Sequence, residues 1–274
     1  MTLSRAKILS FRRKIYSYYQ KSGRRFPWRE TKDPYKILVS EMMLQQTQTG
    51  RVVPFFTSFI KRFPDFKTLA HAPHASVLGM WQGLGYNRRA LNLQHAAERV
   101  IRDYRGILPR DSKLLDDLPG VGAYTASAVA VFAWNKPEAL IETNIRSVYL
   151  HFFFENRRRV PDREVAEIAQ RALDTRNPRK WHQALMDYGA MLKRTSGNAN
   201  VRSSHYIKQG PFAGSRRQIR GAIIKLALKN SVTSSDLKKL RGEYKVSLSV
   251  VSSALDNLVA EGFLKKGKES FSLC

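Results

Sequence analysis

Residues 118–126 read LPGVGAYTA, a proline-glycine turn followed at once by an alanine-rich segment. Gly120 and Gly122 flank one apolar residue, Val121, and we expect both glycines to adopt backbone conformations that a β-carbon would penalise. The amides that open the following helix have no partner within that helix and lie at its positive end. Such a turn between two helices binds anions, typically phosphate groups. A tight turn between two core helices is the alternative that the motif alone leaves open.

The charge of the chain favours the phosphate-binding interpretation. Its 274 residues include 48 Lys and Arg against 22 Asp and Glu, which gives a formal net charge of +26. Such an excess attracts polyanions and makes their binding sensitive to salt. No apolar run approaches the roughly 20 residues of a membrane-spanning helix, and the basic, aromatic N-terminus lacks the apolar core of a secretion signal. We therefore predict an intracellular protein, cytoplasmic or nucleoid-associated, that binds a nucleic acid and no membrane.

The chain contains a single cysteine, Cys274, at its last position. One thiol excludes an internal disulfide framework and any metal or iron–sulfur site that needs several thiolates. We accordingly expect no cofactor and no metal site.

Two acidic residues occupy positions that suggest a role other than that of a solvated surface charge. Glu41 lies on or beside the apolar face of a helix that begins at Asp33-Pro34, and acids are seldom buried without a reason. Glu142 directly follows an apolar run, in a loop or at a helix start. A rim salt bridge for Glu41 and a helix-start charge for Glu142 are the structural alternatives. In a functional role, the Glu142 side chain would face the ligand that is bound at the 118–126 turn.

Neutral hydrogen-bonding side chains are dense at the end of the helix that carries Glu41. Gln45, Gln46 and Gln48 are of the type that contacts the edges of bases, although a polar surface is the usual explanation for such a cluster.

Two aromatic turns carry further candidates. The turn WQGLGY at 81–86 opens a helix that carries Arg88, and an exposed Tyr86 could wedge into a base stack, with core packing as the alternative. In the turn FPWR at 26–29, Arg29 could reach a phosphate or orient a carboxylate.

The helical patterns divide the chain into three parts. Residues 1–195 predict one helical domain, including a helix over 123–134 that is apolar nearly all round and therefore buried. Residues 196–214 turn polar and basic, which predicts a linker. In 215–274, three short helices and a two-stranded wing indicate a winged helix-turn-helix, whose third helix would enter a DNA groove. A protein-interaction module of the same shape is the alternative.

Taken together, these motifs resemble the helix-hairpin-helix DNA glycosylase superfamily, and most nearly its MutY-type adenine DNA glycosylases. The resemblance extends over residues 5–195. The glutamate–glutamine block is its most specific element, whereas the hairpin marks only the superfamily. The matching pieces are FPWR at 26–29, SEMMLQQTQ at 40–48, WQGLGY at 81–86, LPGVGAYTA at 118–126, and Asn144.

The resemblance implies an all-α, two-lobed helix-hairpin-helix glycosylase fold with the active site in the cleft between the lobes, to which the winged-helix-like domain is added. It also implies base excision repair, in which the enzyme acts on double-stranded DNA that contains a lesion or a mismatch. We expect such a protein to be a monomer. Its predicted DNA-contacting residues are Arg29, Gln45, Gln46, Gln48, Gln82, Tyr86, Arg88, Gly120, Val121, Gly122 and Lys193.

The implied reaction is hydrolysis of the N-glycosidic bond of a flipped-out base, adenine in a mispair. Such bonds break through a cation-like sugar, as in sugar hydrolases that use two carboxyl groups. Glu41, if partly buried, would be protonated and donate to the leaving base, and a charged Glu142 would stabilise the sugar cation. Asn144 would orient the sugar or a water molecule. Tyr124 stands where strand-cleaving relatives carry a lysine, which implies a monofunctional hydrolase without Schiff-base chemistry.

The chain departs from the family in three respects. Glu142 replaces the family's aspartate and so adds a methylene. The cysteines of the iron–sulfur cluster that usually follow residues 186–191 are absent, so DNA contacts there would fall to Lys193, Arg194 and the arginines of 202–220. The winged-helix-like module takes the place of the family's domain that reads 8-oxoguanine, so the opposite base is the least constrained part of the assignment.

Two other functions stay open at this stage. The chain could excise another lesion, or mismatched thymine or uracil, although Glu41 and the glutamine block favour adenine. It could also be a non-catalytic DNA-binding protein built on a glycosylase fold, in which Glu142 would mark lost chemistry.

Overall fold

The computed structural model describes residues 4–204, 206–207, 210 and 212–274. Its α-helices, in chain order, are α1 (Arg5–Ser22), α2 (Pro34–Leu44), α3 (Thr49–Arg62), α4 (Phe66–Ala70), α5 (His74–Trp81), α6 (Arg88–Tyr104), α7 (Ser112–Asp116), α8 (Ala123–Trp134), α9 (Thr143–Phe153), α10 (Asp162–Ala172), α11 (Pro178–Thr195), α12 (Arg216–Ala227), α13 (Ser234–Tyr244) and α14 (Leu248–Ala260). Short 3₁₀ helices span Pro27–Arg29 and Ala199–Arg202, and the strands are β1 (Val232–Thr233), β2 (Leu264–Lys266) and β3 (Ser270–Leu273).

The chain forms two compact units, and each contains two stretches of sequence. The first unit comprises Met1–Glu41 and Leu108–Lys208, and the second comprises Met42–Ile107 and Gln209–Cys274. The domain boundaries inferred from the sequence stay predictions, and the predicted linker at 196–214 lies partly outside the described residues.

Local capping signals explain several of the helix boundaries. Asp33 accepts a hydrogen bond from the Tyr35 amide at 2.9 Å at the start of α2, and Asp111 accepts one from the Lys113 amide at 2.9 Å at the start of α7. The apolar helix α8 has the bounds expected from the sequence, and eight of its residues are buried. The all-α class with a small C-terminal sheet is thus confirmed.

An aromatic cluster fills the core of the first unit. The Phe11 ring centroid lies 5.8 Å from that of Tyr149, 5.1 Å from that of Phe153 and 5.6 Å from that of Trp181. These pairs join α1, α9 and α11, and each contributes about 0.5–1.5 kcal/mol beyond its area burial. In the nearby aromatic turn, Trp28 is buried and stacks on Phe26 with ring centroids 5.0 Å apart.

The C-terminal module of the second unit contains α12, α13, α14 and a three-stranded antiparallel sheet of order β1-β3-β2. The sequence predicts only the hairpin of β2 and β3. Strand β1 escapes prediction because it is two residues long: Val232 is buried opposite Phe271, and Thr233 already caps α13 through reciprocal bonds with Asp236.

Part of the predicted linker is packed in the first unit. Asn200 is 4% exposed, and its Nδ2 donates to the Thr143 carbonyl at 3.0 Å and to Ser147 Oγ at 2.5 Å. The backbone bonds between Val160 and both Arg202 and Ser204 add to this attachment. Residues 198–204 therefore brace the start of α9, which is a departure from a solvated linker.

No helix within the described ranges is both long enough and apolar enough to cross a membrane.

We predict that Asn200→Ala lowers the free energy of unfolding by about 1–3 kcal/mol, because the buried Ser147 Oγ and the partly buried Thr143 carbonyl on α9 each lose a donor. Val201→Ala is the matched control, since Val201 is 62% exposed in the same segment; we expect a change within about 0.5 kcal/mol. Urea unfolding of both variants measures the difference. Equal effects would show that residues 198–204 are not anchored through Asn200.

Candidate active site

Glu41 lies in an apolar part of α2. Its neighbours Leu38, Val39 and Ser40 are buried, and Glu41 itself is 7% exposed. Burial disfavours the charged carboxylate and raises the pKa of Glu41 to about 8; the charge of Glu142 acts in the same direction, and that of Arg29 opposes it. The Glu41 side chain is therefore a neutral carboxylic acid at pH 7, able to donate a proton.

Glu142 is the N-cap of α9. Its carboxylate accepts hydrogen bonds from the Asn144 amide at 2.9 Å, the Ile145 amide at 2.8 Å and Asn144 Nδ2 at 3.2 Å. Burial raises the pKa of Glu142 above its ordinary value, and these bonds and the charge of Arg146 offset only part of that rise. Each of the three donors stabilises the charged form, and the positive end of the helix does the same. The structural interpretation as a helix-start residue is thus correct, and the chemical role of Glu142 stays a prediction.

Tyr124, in the first turn of α8, lies close to both acids. Burial, with the charges of Glu41 and Glu142 adding to it, holds the pKa of Tyr124 well above its usual range. The tyrosine is therefore a neutral hydroxyl beside the two carboxyl groups. Three side chains from α2, α8 and the start of α9 converge in the first unit, and Asn144 joins them through its bond to Glu142.

Arg29 is held by a buried carboxylate. Its Nη1 and Nη2 each donate to Asp187 at 2.9 Å, and Nη1 also donates to the Arg24 carbonyl at 2.9 Å. Arg24 donates to the same carboxylate through its amide at 2.7 Å and its Nε at 2.8 Å. Of the two roles considered from the sequence, the structure shows the carboxylate contact; a phosphate contact by Arg29 stays a prediction.

Gly189 allows α11 to approach the start of α9. A β-carbon built on Gly189 would overlap the backbone of Asn144, with the carbonyl carbon only 2.6 Å away. Since Asn144 follows Glu142 by two residues and donates to it, this close approach fixes the capping loop. The sequence analysis missed both Asp187 and Gly189; the signal available was an acid and a glycine on an otherwise apolar helix face.

We predict that Gly189→Ala lowers the free energy of unfolding by about 1–3 kcal/mol, because the overlap is with backbone that cannot rotate away. Helix propensity alone favours alanine by about 1 kcal/mol, so the overlap must outweigh it. The control is Gly79→Ala in α5, where a β-carbon meets no atom within 4 Å. We expect that control to be neutral or stabilising in the same thermal or urea unfolding assay. Stabilisation by both changes would contradict the proposed contact.

The 118–126 turn joins α7 to α8 as expected, with one correction. Gly120 has a φ of +73°, which explains the glycine, and Val121 is buried. Gly122 has a φ of −91°, so the prediction that it adopts a conformation penalised by a β-carbon is wrong. A β-carbon there would meet no atom within 4 Å, so the space beside Gly122 is open. The N-cap of α8 is Gly122, which has no side chain to cap the first amides of the helix.

The second unit carries the other predicted contact residues. Gln45 donates to Met42 Sδ at 3.4 Å, Gln46 is exposed with a φ of +55°, and Gln48 is the N-cap of α3. Gln82 is partly buried, and Tyr86 is 37% exposed. The remaining positions are Arg88, exposed at the start of α6, and, in the first unit, Lys193, exposed in the last turn of α11.

Arg89 organises the turn between α2 and α3, a role that the sequence analysis did not identify. Its Nη1 donates to the carbonyls of Met42, Met43 and Gln45 at 2.9, 2.7 and 2.7 Å. Its Nη2 donates to the Gly85 carbonyl at 2.9 Å. These bonds satisfy carbonyls at the end of α2 and tie the glutamine block to the Tyr86 turn. Burial lowers the pKa of Arg89 to about 10, so it stays charged at neutral pH.

The residues present do not fit the iron–sulfur cluster of the family, because the chain has one cysteine, Cys274. Among the described residues, no group of three or more His, Cys, Asp or Glu side chains is arranged to hold a metal ion.

The sequence matches a known protein family. Residues 39–175 match the family described as "HhH-GPD superfamily base excision DNA repair protein". The chain belongs to this superfamily. The matched range includes Glu41, Tyr124 and Glu142, the three side chains that converge in the first unit.

Several curated relatives that the chain matches are adenine DNA glycosylases. One from Buchnera aphidicola subsp. Baizongia pistaciae is 35% identical over 189 residues, which cover 67% of this chain and 53% of the relative. One from Mycolicibacterium smegmatis is 32% identical over 273 residues and 92% of each chain. The predicted MutY-type resemblance is thereby confirmed. The chain spans about half the length of the first relatives it matches, 53% and 44%.

A solved structure described as a thermostable thymine-DNA glycosylase is 30% identical, with a TM-score of 0.61 over 68% of this chain and 87% of that one. An endonuclease III–DNA complex, at 19% identity and a TM-score of 0.58, supports the fold alone.

Proposed function

We propose that this chain is a monofunctional DNA glycosylase that hydrolyses the N-glycosidic bond of a flipped-out adenine in a mispair. The observation that carries the proposal is a pair of acids, the buried Glu41 and the half-buried Glu142: the charge of Glu142 raises the pKa of Glu41, and both acids raise the pKa of Tyr124. The adenine DNA glycosylases among its relatives support the choice of base.

Glu41 is the proton donor in this mechanism. A base leaves poorly as an anion, so protonation at a ring nitrogen weakens the bond to C1′. A pKa of about 8 keeps Glu41 protonated at physiological pH, and it is still acidic enough to release the proton. Burial, its main cause, also excludes water that would compete for the proton.

Glu142 stabilises the positive charge that develops on the sugar. Its three N–H donors hold the carboxylate in place before reaction, so little reorganisation is needed as charge develops. Glu142 is one methylene longer than aspartate, and its carboxylate still caps α9 through the Asn144 and Ile145 amides. Asn144 Nδ2 fixes the second carboxylate oxygen.

Tyr124 is a hydroxyl and not an amine, which supports hydrolysis over Schiff-base chemistry. Its raised pKa keeps it neutral, so it adds no third negative charge beside the two acids. We propose that it orients the attacking water or the sugar.

The DNA backbone binds at the 118–126 turn in this account. The N-cap of α8 is a glycine, and the open space beside it admits a phosphate at the positive end of the helix. The partner is double-stranded DNA with a mispair, bound by a monomer, and Gln45, Gln46, Gln48, Gln82, Tyr86, Arg88 and Lys193 are its proposed further contacts.

A second candidate substrate is thymine or uracil in a mispair, favoured by the 30% identity to the thymine-DNA glycosylase. Duplexes with A·G, T·G and U·G mispairs in one base-release assay separate the two. Release of thymine or uracil without adenine would replace the first candidate by the second.

We predict that Glu41→Gln lowers the single-turnover rate of adenine release by at least about a hundredfold, since the amide has no proton to give. We expect Glu142→Gln to lower the same rate by about 10²–10³-fold, because the negative charge is lost. Glu155→Gln, the same neutralisation at an exposed position, is the control and should keep the full rate. A wild-type rate in Glu41→Gln would remove Glu41 from the mechanism.

We also predict a basic limb in the pH profile. Because the reactive form of Glu41 is protonated, the rate of base release should be constant below its pKa of about 8 and fall as pH rises through that value. The loss should approach about tenfold per pH unit at higher pH. Single-turnover rates between about pH 6 and pH 9.5 measure the limb. A rate that instead falls with the pKa of an ordinary glutamate, near 4.5, would contradict the raised pKa.

A further inference from the structure

An arginine-lined groove lies in the second unit, between the Tyr86 turn and the C-terminal module. We call it the arginine groove; its volume is about 410 Å³, within the range of about 300–1,000 Å³ for small-ligand clefts. It is large enough for one nucleotide and too small for a folded partner. The lining residues on which the inference depends are Gln46, Tyr86, Arg88, Arg217, Arg220 and Glu261.

The charge of the groove selects an anionic ligand. Its lining contains four arginines and one acid, Glu261. Arginine presents a planar set of donors that matches phosphate oxygens, and it keeps its charge at any physiological pH. The amides of Gln45, Gln46, Asn87 and Asn92 add neutral hydrogen-bonding groups of the kind that contacts bases.

Arg217 connects the C-terminal module to the Tyr86 turn. Its Nη1 donates to Tyr86 Oη at 2.8 Å, and its guanidinium carbon lies 5.9 Å from the centre of the Tyr86 ring. Its Nη2 donates to the Gly210 carbonyl at 3.0 Å. The guanidinium is thereby held beside the aromatic ring. A base that stacked on Tyr86 would place the phosphate of its own nucleotide near this guanidinium.

Glu261 holds two more guanidinium groups at the groove. It accepts from Arg220 Nη1 at 2.9 Å and from Nη2 at 2.7 Å, and its Oε2 lies 3.5 Å from Arg88 Nε. This one acid orients cations from α6 and α12 towards the same space. The groove is therefore preorganised, which reduces the entropy lost when a ligand binds.

Backbone strain marks the same site independently of charge. Gln46 has a φ of +55° and Tyr86 a φ of +48°, both in the left-handed region that non-glycine residues rarely adopt. Such conformations cluster where a side chain must be presented to a ligand. Both residues line the groove.

The distribution of charge within the C-terminal module points to the same face. Helix α14, the third helix that the winged-helix prediction would place in a DNA groove, has no lysine or arginine from Leu248 to Ala260. Helix α12 has Arg216, Arg217, Arg220 and Lys225 within twelve residues. Affinity for DNA comes mainly from such cations.

We propose that the arginine groove binds one nucleotide of a DNA strand, with its phosphate on Arg217 and its base against Tyr86, and that the C-terminal module contacts DNA through α12 and not through α14. The proposal rests on the proposed function in that the DNA is the duplex on which the glycosylase acts.

The first test is the binding of a mispair-containing duplex to Arg217→Ala in the full chain, measured by fluorescence anisotropy at several salt concentrations. Loss of one phosphate contact should weaken binding about tenfold and reduce the slope of log K against log salt by about one. Arg241→Ala is the control, because Arg241 is exposed in α13 of the same module and lies outside the groove lining. It should change the affinity less than about twofold. Equal losses in the two variants, or a loss only on Asn257→Ala in α14, would overturn the proposal.

The second test locates the phosphate without relying on one variant's folding. Single phosphates of the duplex are replaced in turn by neutral methylphosphonates, and binding is measured with the wild type and with Arg217→Ala. A position whose neutralisation weakens wild-type binding, but not that of Arg217→Ala, is the expected result. Additive losses at every position would overturn the contact. Both tests measure DNA binding and need no base release. If the wild type bound DNA but excised no base, the proposed function would be refuted, and the same measurements would still test nucleotide binding in the arginine groove.

Discussion

The proposed chemistry of this chain depends on the burial of Glu41 beside a second acid, Glu142, whose charge raises the pKa of Glu41. Burial is the largest cause of the raised pKa of Glu41, and a shift from 4.5 to about 8 corresponds to about 5 kcal/mol against its charged form. The attraction of Arg29 is smaller, so protonation is favoured over an ion pair. At Glu142 three N–H donors oppose the same burial. One acid thus keeps its proton while the other is prepared to carry charge, which is the division of labour that acid-assisted glycosidic cleavage needs.

The supports for this pair come from α11. Asp187 binds Arg29 and Arg24 with its carboxylate fully buried, so loss of that carboxylate would leave two uncompensated cations. Two residues later, Gly189 lets the Asn144 backbone come close enough for its amide and side chain to hold Glu142. Neither residue is a candidate catalyst. From this one helix, they fix the positions of Arg29 and Asn144, which affect the pKa values of Glu41 and Glu142.

The features of the fold and the site that depend on interactions between neighbours in sequence could be predicted. Those that depend on contacts between residues far apart in sequence could not. The cap at Asp33 and the apolar composition of α8 act locally, and the start of α2 and the bounds of α8 were predicted. Glu41 and Glu142 were identified as candidates because an acid next to apolar residues is a local anomaly. The role of Arg89 was not, because its carbonyl partners lie more than forty positions earlier in the chain. The same holds for the Gly189 contact with Asn144.

The central claim is that Glu41 is protonated at neutral pH because it is buried beside a second acid. A ¹³C NMR titration of the carboxyl carbons, with Glu41 assigned from the Glu41→Gln spectrum, measures this directly. The account predicts a pKa of about 8 in the wild type and a lower value, still above 4.5, when Glu142→Gln removes the neighbouring charge but not the burial. A wild-type pKa near 4.5, unchanged by Glu142→Gln, would contradict it.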